Sequence, residues 1–270
     1  FETASSITQT ANVATAVNIN DHTAGALVFD GDVTATTGLG MQFNNADGSY
    51  DFDGTNSLTG GTAGIDILGG SNGAFVFAAT TNIGGRTAAA FVVSGDNTAT
   101  PSVTYTGTIA NSSNDAIRIE NTGNGGTITF DSLAADAIAD SGTGTGIFLN
   151  GAGSTINFTA DMELTGTEGI DIDGGDGTYT FSDTDINATG VSFDVSGGTS
   201  SVSFLTNSTI NQATNNAALN VLNHGTGTLD FNGDVTTTLG PGVVFNNADG
   251  NYSLDGTTTL AGGGSIDILT

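Results

Sequence analysis

Apolar-x-aromatic triplets recur along the whole chain at steps of 23 to 28 residues. They read LVF, YDF, FVF, VTY, ITF, INF, YTF, VSF and LDF. Their last residues are Phe29, Phe52, Phe77, Tyr105, Phe130, Phe158, Phe181, Phe204 and Phe231, with Leu254 of YSL following and Phe1 one step ahead. A period of about 25 residues marks a repeat architecture, because a unit that short cannot bury its apolar face alone and must stack on its neighbours.

Each unit carries a second apolar-x-apolar pair, among them Met41/Phe43, Ile65/Ile67, Phe91/Val93, Ile117/Ile119, Ile147/Leu149, Ile170/Ile172 and Val243/Phe245. Between the triplet and the pair stands a lone aliphatic in most units: Ile7, Val33, Leu58, Ile83, Ile109, Leu164, Ile186, Ile210, Val235 and Leu260. Alternation with period two places these residues on one side of short strands. Clusters such as NNADG, GGSNG and DGGDG supply the turns. Nothing has helical spacing.

The pattern predicts an all-β chain: a right-handed parallel β-helix, or β-solenoid, of about eleven coils, each with three short strands. It is expected to run as one continuous β-helix over residues 1–270. The right hand follows from the preference of parallel crossovers. Like residues then stack about 4.8 Å apart in a rod of roughly 50 Å, with the nine aromatics as an internal column. A two-sheet sandwich gives no reason for inward residues to return every 25 positions.

A longer echo overlies the short one. MQFNNADGSYDFDGTNSLTGGTAGIDIL at 41–68 returns as VVFNNADGNYSLDGTTTLAGGGSIDIL at 243–269, an offset of 202 residues. That offset equals eight coils, so residues 1–68 are echoed by 204–269, and His22 meets His224. We read this as a window onto a tandem array. The start at Phe1 and the stop at Thr270 inside the pattern raise the expectation of a piece of something longer.

Composition narrows the partners. Two basic residues, Arg86 and Arg118, stand against 28 acidic ones, for a net charge of −26, and Lys and Cys are absent. With no basic stripe to neutralise phosphates, nucleic acid and anionic membrane are not expected partners. No apolar run approaches a membrane span, so no direct membrane insertion is expected.

These Gly/Thr/Asn/Asp-rich coils without Lys or Cys resemble the β-helical repeat regions of large bacterial surface and secreted proteins, such as adhesins and autotransporter passengers. The resemblance covers the whole chain through architecture and composition. It implies an extracellular, cell-surface, structural or adhesive role, and it transfers no functional residue.

Several residues are candidates for chemistry. Asp171 and Asp194 point outward on adjacent coils, near the separation of a retaining glycosidase pair, although a solvated acidic row reads the same way. With Asp173 they are also candidate calcium ligands, since hard cations take several oxygens. The stretch GGDG at 174–177 lacks the spacing of the nonapeptide calcium repeat, and no cofactor other than calcium is expected. Arg118, flanked by the outward Val92 and Phe148, marks a candidate contact patch with Phe148. Ser102/Thr104, Thr127/Thr129, Thr155/Asn157, Thr178/Thr180, Ser201/Ser203 and Thr228/Asp230 predict two outward columns, a pattern seen on β-helical ice-binding proteins. His22 and His224 have no second ligand nearby and read as turn residues. No nucleophilic triad is evident.

The expected function is therefore non-enzymatic: a rigid rod, fibre or sheath, or adhesin stalk. Its expected partners are further copies or adjacent repeats of itself, with a cell-surface glycan or other cells as a second class. A polysaccharide-active enzyme using Asp171 and Asp194, or an ice-binding module, is the alternative.

Overall fold

Alternating apolar residues separated by left-handed corner residues produce strands of three to six residues in most of the chain, and a computed structural model describes all of residues 1–270. Thirty strands and no helix form a right-handed parallel β-helix of about eleven coils. The third strands of the coils make one eleven-stranded parallel sheet, from Thr15–Asn20 to Ser265–Leu269. First and second strands form a nineteen-stranded sheet. In two coils they fuse into the single long strands Thr155–Leu164 and Thr178–Ile186.

That fusion corrects the expectation of three separate strands in every coil. In Thr155–Leu164 the inward Ile156, Phe158, Ala160, Met162 and Leu164 alternate without a break, and no glycine interrupts them to turn the chain. A register shift between Phe158 and Asp161 takes up the bend instead.

The aromatic column runs through the interior. Phe29, Phe52, Phe77, Tyr105, Phe130, Phe158, Phe181, Phe204 and Phe231 are all buried and paired in register from coil to coil. Ring centroids lie 4.9 Å apart for Phe158 and Phe181, with planes 5° apart, and 4.6 Å apart for Phe181 and Phe204. Phe1 adds a ring 4.5 Å from that of Phe29. Each buried ring contributes about 1.5–3 kcal/mol by leaving water, and each well-placed aromatic pair about 0.5–1.5 kcal/mol more. The third-strand pairs also keep register, as in Met41 to Ile65 and Phe43 to Ile67.

Second-strand aliphatics keep register in stretches of a column, Leu58 with Ile83 and Ile109, and Leu164 with Ile186, Ile210 and Val235. Val33 pairs with Asn56, and Leu58 pairs with Ala35. The link from Phe52 to Leu58 is longer than that from Phe29 to Val33, so the aliphatic position slides along the strand. Asn56 is fully buried in that column, and its Nδ2 donates to Thr81 Oγ1 at 3.0 Å and to the Gly54 carbonyl at 3.2 Å. Its Oδ1 meets no donor, so the buried amide is only half satisfied.

Corners after the third strands repeat one backbone state. Asp21 (φ 53°), Asn45 (φ 50°), Asn121 (φ 51°), Asn223 (φ 52°) and Asn247 (φ 48°) take it, and glycines do at Gly69, Gly151, Gly174 and Gly197. Asn and Asp are the side chains that best tolerate this left-handed region, which explains the composition of the turn clusters. The asparagines also bond across coils: Asn44 Nδ2 donates to Asn20 Oδ1 at 2.7 Å, and Asn247 Nδ2 to Asn223 Oδ1 at 2.8 Å.

Candidate functional site

Residues that point out of the third-strand sheet form a continuous row on consecutive coils: Asp66, Val92, Arg118, Phe148, Asp171 and Asp194. The inward Ile and Phe pairs fix this row, because period two leaves one side chain between each pair on the outer face. Arg118 lies where the sequence placed it, with its guanidinium carbon 4.3 Å from the Phe148 ring centroid. Two of its nitrogens are engaged within the chain. Nε reaches Asp115 Oδ2 at 3.0 Å and Nη1 reaches Glu120 Oε1 at 2.5 Å. Partial burial weakens the charge, but the bonds to Glu120 and Asp115 outweigh it and hold the guanidinium pKa above its ordinary value.

Asp171 and Asp194 are direct register partners. Burial pushes Asp171 up to about 7, with Asp194, Glu168 and Asp173 adding like-charge repulsion. Burial also raises Asp194, opposed by Asn220 Nδ2, which donates to its Oδ1 at 2.9 Å. A carboxyl that titrates near neutrality can exchange a proton at that pH. Neither residue lines any of the three surface depressions of the molecule.

Asp173 stands one outward position further along its strand, between Asn150 and Ser196, and accepts from Ser196 Oγ at 3.4 Å. The structure thus pairs Asp171 with Asp194 but does not gather Asp173 with them around a common point. No group of three or more His, Asp or Glu residues is arranged to hold a metal ion.

The hydroxyl columns of the first strands are in register. Ser102, Thr127, Thr155, Thr178, Ser201 and Thr228 make one, and Thr104, Thr129, Asn157, Thr180, Ser203 and Asp230 the other. His22 and His224 sit at equivalent corners. Each places Nδ1 against a tyrosine hydroxyl of the next coil, Tyr50 at 2.7 Å and Tyr252 at 3.1 Å.

Three features were not singled out from the sequence. Asp161 pairs with Asp183 and Glu163 with Asp185, so the outer faces of the two fused strands carry four carboxylates together. The signal was present as outward acids in ADMEL and SDTDI on consecutive coils. Arg86 is fully buried, with Nε on the Leu58 carbonyl at 3.0 Å, Nη2 on Ala35 O at 3.4 Å and Nη1 on Gly60 O. Burial lowers its pKa to about 10, with Asp66 opposing the shift. The third is a depression beside Asp66, lined by residues of several coils.

No family model matches the chain, and no curated protein or solved structure matches it.

Proposed function

We propose that the chain is a non-enzymatic structural rod that works outside the cell, as a stalk, spacer or fibre segment of a large bacterial surface or secreted protein. The observation that carries this reading is continuity. The third-strand sheet passes through every coil with no strand missing, and the aromatic column runs unbroken beneath it. Such a body resists bending, since each coil is fixed to the next by backbone bonds on its faces and by packed rings within.

Further copies or adjacent repeats are the first partners in this reading, joined by strand-edge pairing. A cell-surface glycan or another cell is the second class. A net charge of −26 supports a partner that is neither nucleic acid nor anionic membrane, and it leaves calcium a bridging role on the acidic surface. Negative-stain electron microscopy with calcium and with chelator tests the proposal. Elongated particles of uniform width, about 50 Å or longer, support it. Rounded particles overturn it, and shortening in chelator assigns bridging to the cation.

One observation favours a second reading, an ice-binding face. The Ser/Thr columns hold register over six coils, although Asn157 and Asp230 interrupt one of them. Thermal hysteresis of the purified chain decides it.

A further inference from the structure

The depression beside Asp66 is an open hollow of about 460 Å³ on the outer side of the third-strand sheet. Leu39, Ala63, Leu68, Ala89 and Val92 form its apolar wall, and the Asp115–Arg118 ion pair closes its far end. Asp66 lines it and is only 9% exposed. Its carboxylate makes no ion pair, and no hydrogen bond contributes to its titration. Arg86 draws on it from a distance but directs its own donors to backbone carbonyls. A carboxylate so placed meets only solvent at the mouth of the hollow, without the cation that offsets the cost of a largely buried charge.

The chain has nothing left to pair with it. Lys is absent, Arg86 and Arg118 are committed, and the N-terminal amine donates to the Val28 carbonyl at 2.9 Å. Any cation paired with Asp66 must come from another molecule. Its chemistry is set by one carboxylate at the edge of an apolar wall, on a surface with a large negative charge.

We propose that this hollow takes a protonated aminoalkyl group, of the kind a lysine side chain or a small alkylamine carries, with the ammonium on Asp66 and the methylenes along Leu39, Leu68 and Val92. The reading is independent of the rod proposal, since it concerns one lateral site and not the ends of the stack. Burial pushes the Asp66 carboxyl up to about 6, against the pull of Arg86, so the site is charged at pH 8 and neutral at pH 5. Asp115 and Arg118, the other charged groups lining the hollow, neutralise each other.

The test is methyl NMR on the intact chain at pH 8, with 1-pentylammonium, neutral 1-pentanol and Nα-acetyl-lysine methylamide as probes. Saturable shifts at Ala63, Leu68, Ala89 and Val92 are expected with 1-pentylammonium. Affinity should be at least about tenfold weaker for 1-pentanol and for Asp66→Asn. Binding of the lysine probe as well points to a partner protein, and binding of 1-pentylammonium alone to a free amine; both outcomes uphold the site. Equal affinity for the alcohol, or shifts scattered over the acidic face, overturns it. Should Asp66→Asn fail to fold, the native chain serves: affinity must fall as pH is lowered through about 6. A constant affinity between pH 8 and 5 overturns the proposal.

Discussion

Asn111 and Asp140 are register partners on adjacent coils, both buried, and in each the side-chain Oδ1 has no donor. Asn111 Nδ2 is committed to the carbonyls of Asn114 at 2.9 Å and Asp115 at 2.8 Å. The second oxygen of Asp140 accepts from the Gly142 amide at 3.3 Å. A proton on Asp140 turns one orphaned acceptor into a donor. Burial pushes this carboxyl up to about 7, against the Gly142 amide and with the charge of Asp115.

A pH dependence follows. A carboxyl whose folded pKa lies above its unfolded value binds more protons when folded, so its contribution is full below about pH 4 and is lost as pH rises through about 7. Asp66, at about 6, and Asp171, at about 7, act in the same direction. The melting temperature, followed by circular dichroism, is expected to fall from pH 5 to pH 8. Asp140→Asn should raise it at pH 8, by the order of 1–3 kcal/mol of stability, and flatten the slope. A melting temperature that climbs over this range would remove the proton from Asp140.

Phe158 lies between Phe130 and Phe181, with ring centroids at 5.1 and 4.9 Å. Phe158→Ala is expected to cost about 3–5 kcal/mol in urea unfolding. Phe158→Asp should abolish the cooperative transition. An unchanged midpoint in either variant would place this ring outside the core.

Arg86 joins its own coil to carbonyls on the two preceding ones, Leu58 and Gly60 on one and Ala35 on the other. Arg86→Ala is expected to cost about 3 kcal/mol or more, because those carbonyls lose a buried donor. Arg86→Lys keeps the charge but has no planar fork to span the coils, and it should lose about 1–3 kcal/mol. A lysine variant with native stability would show that charge alone suffices there.

Gly54 stands where a Cβ would lie 1.8 Å from the Gly31 carbonyl oxygen, and Gly256 repeats the contact with Gly233 at 1.8 Å. Gly54→Ala must push two coils apart and is expected to cost about 1–3 kcal/mol. Amide exchange in Asp32–Ala35 and Asn56–Thr59 should accelerate first. Protection equal to the native chain would show that the coils yield freely at this point.

What the sequence displayed was what repeats. Phe29 to Phe231 and the third-strand pairs share two periods, one along the strand and one around the coil, and both are visible in letters. Links of unequal length hid the register of the second strands, so Val33 faces Asn56, a buried amide that no period marked. Arg86 was hidden for a different reason, since its burial depends on carbonyls up to 51 residues away. On the outer face, the Asp171–Asp194 pairing was legible from the coil period. The hollow at Asp66 was not, because its walls come from several coils and exist only when those coils are stacked.

The parallel register of the third-strand sheet also sets how the molecule would bear load. Bonds between coils run along the rod, so a pull on its axis stretches them in their own direction, one interface after another in series. Resistance then equals that of the weakest single interface and does not grow with the number of coils. A longer rod of this design reaches further without being harder to tear, and under tension it should peel coil by coil, releasing 23 to 28 residues of slack at a time.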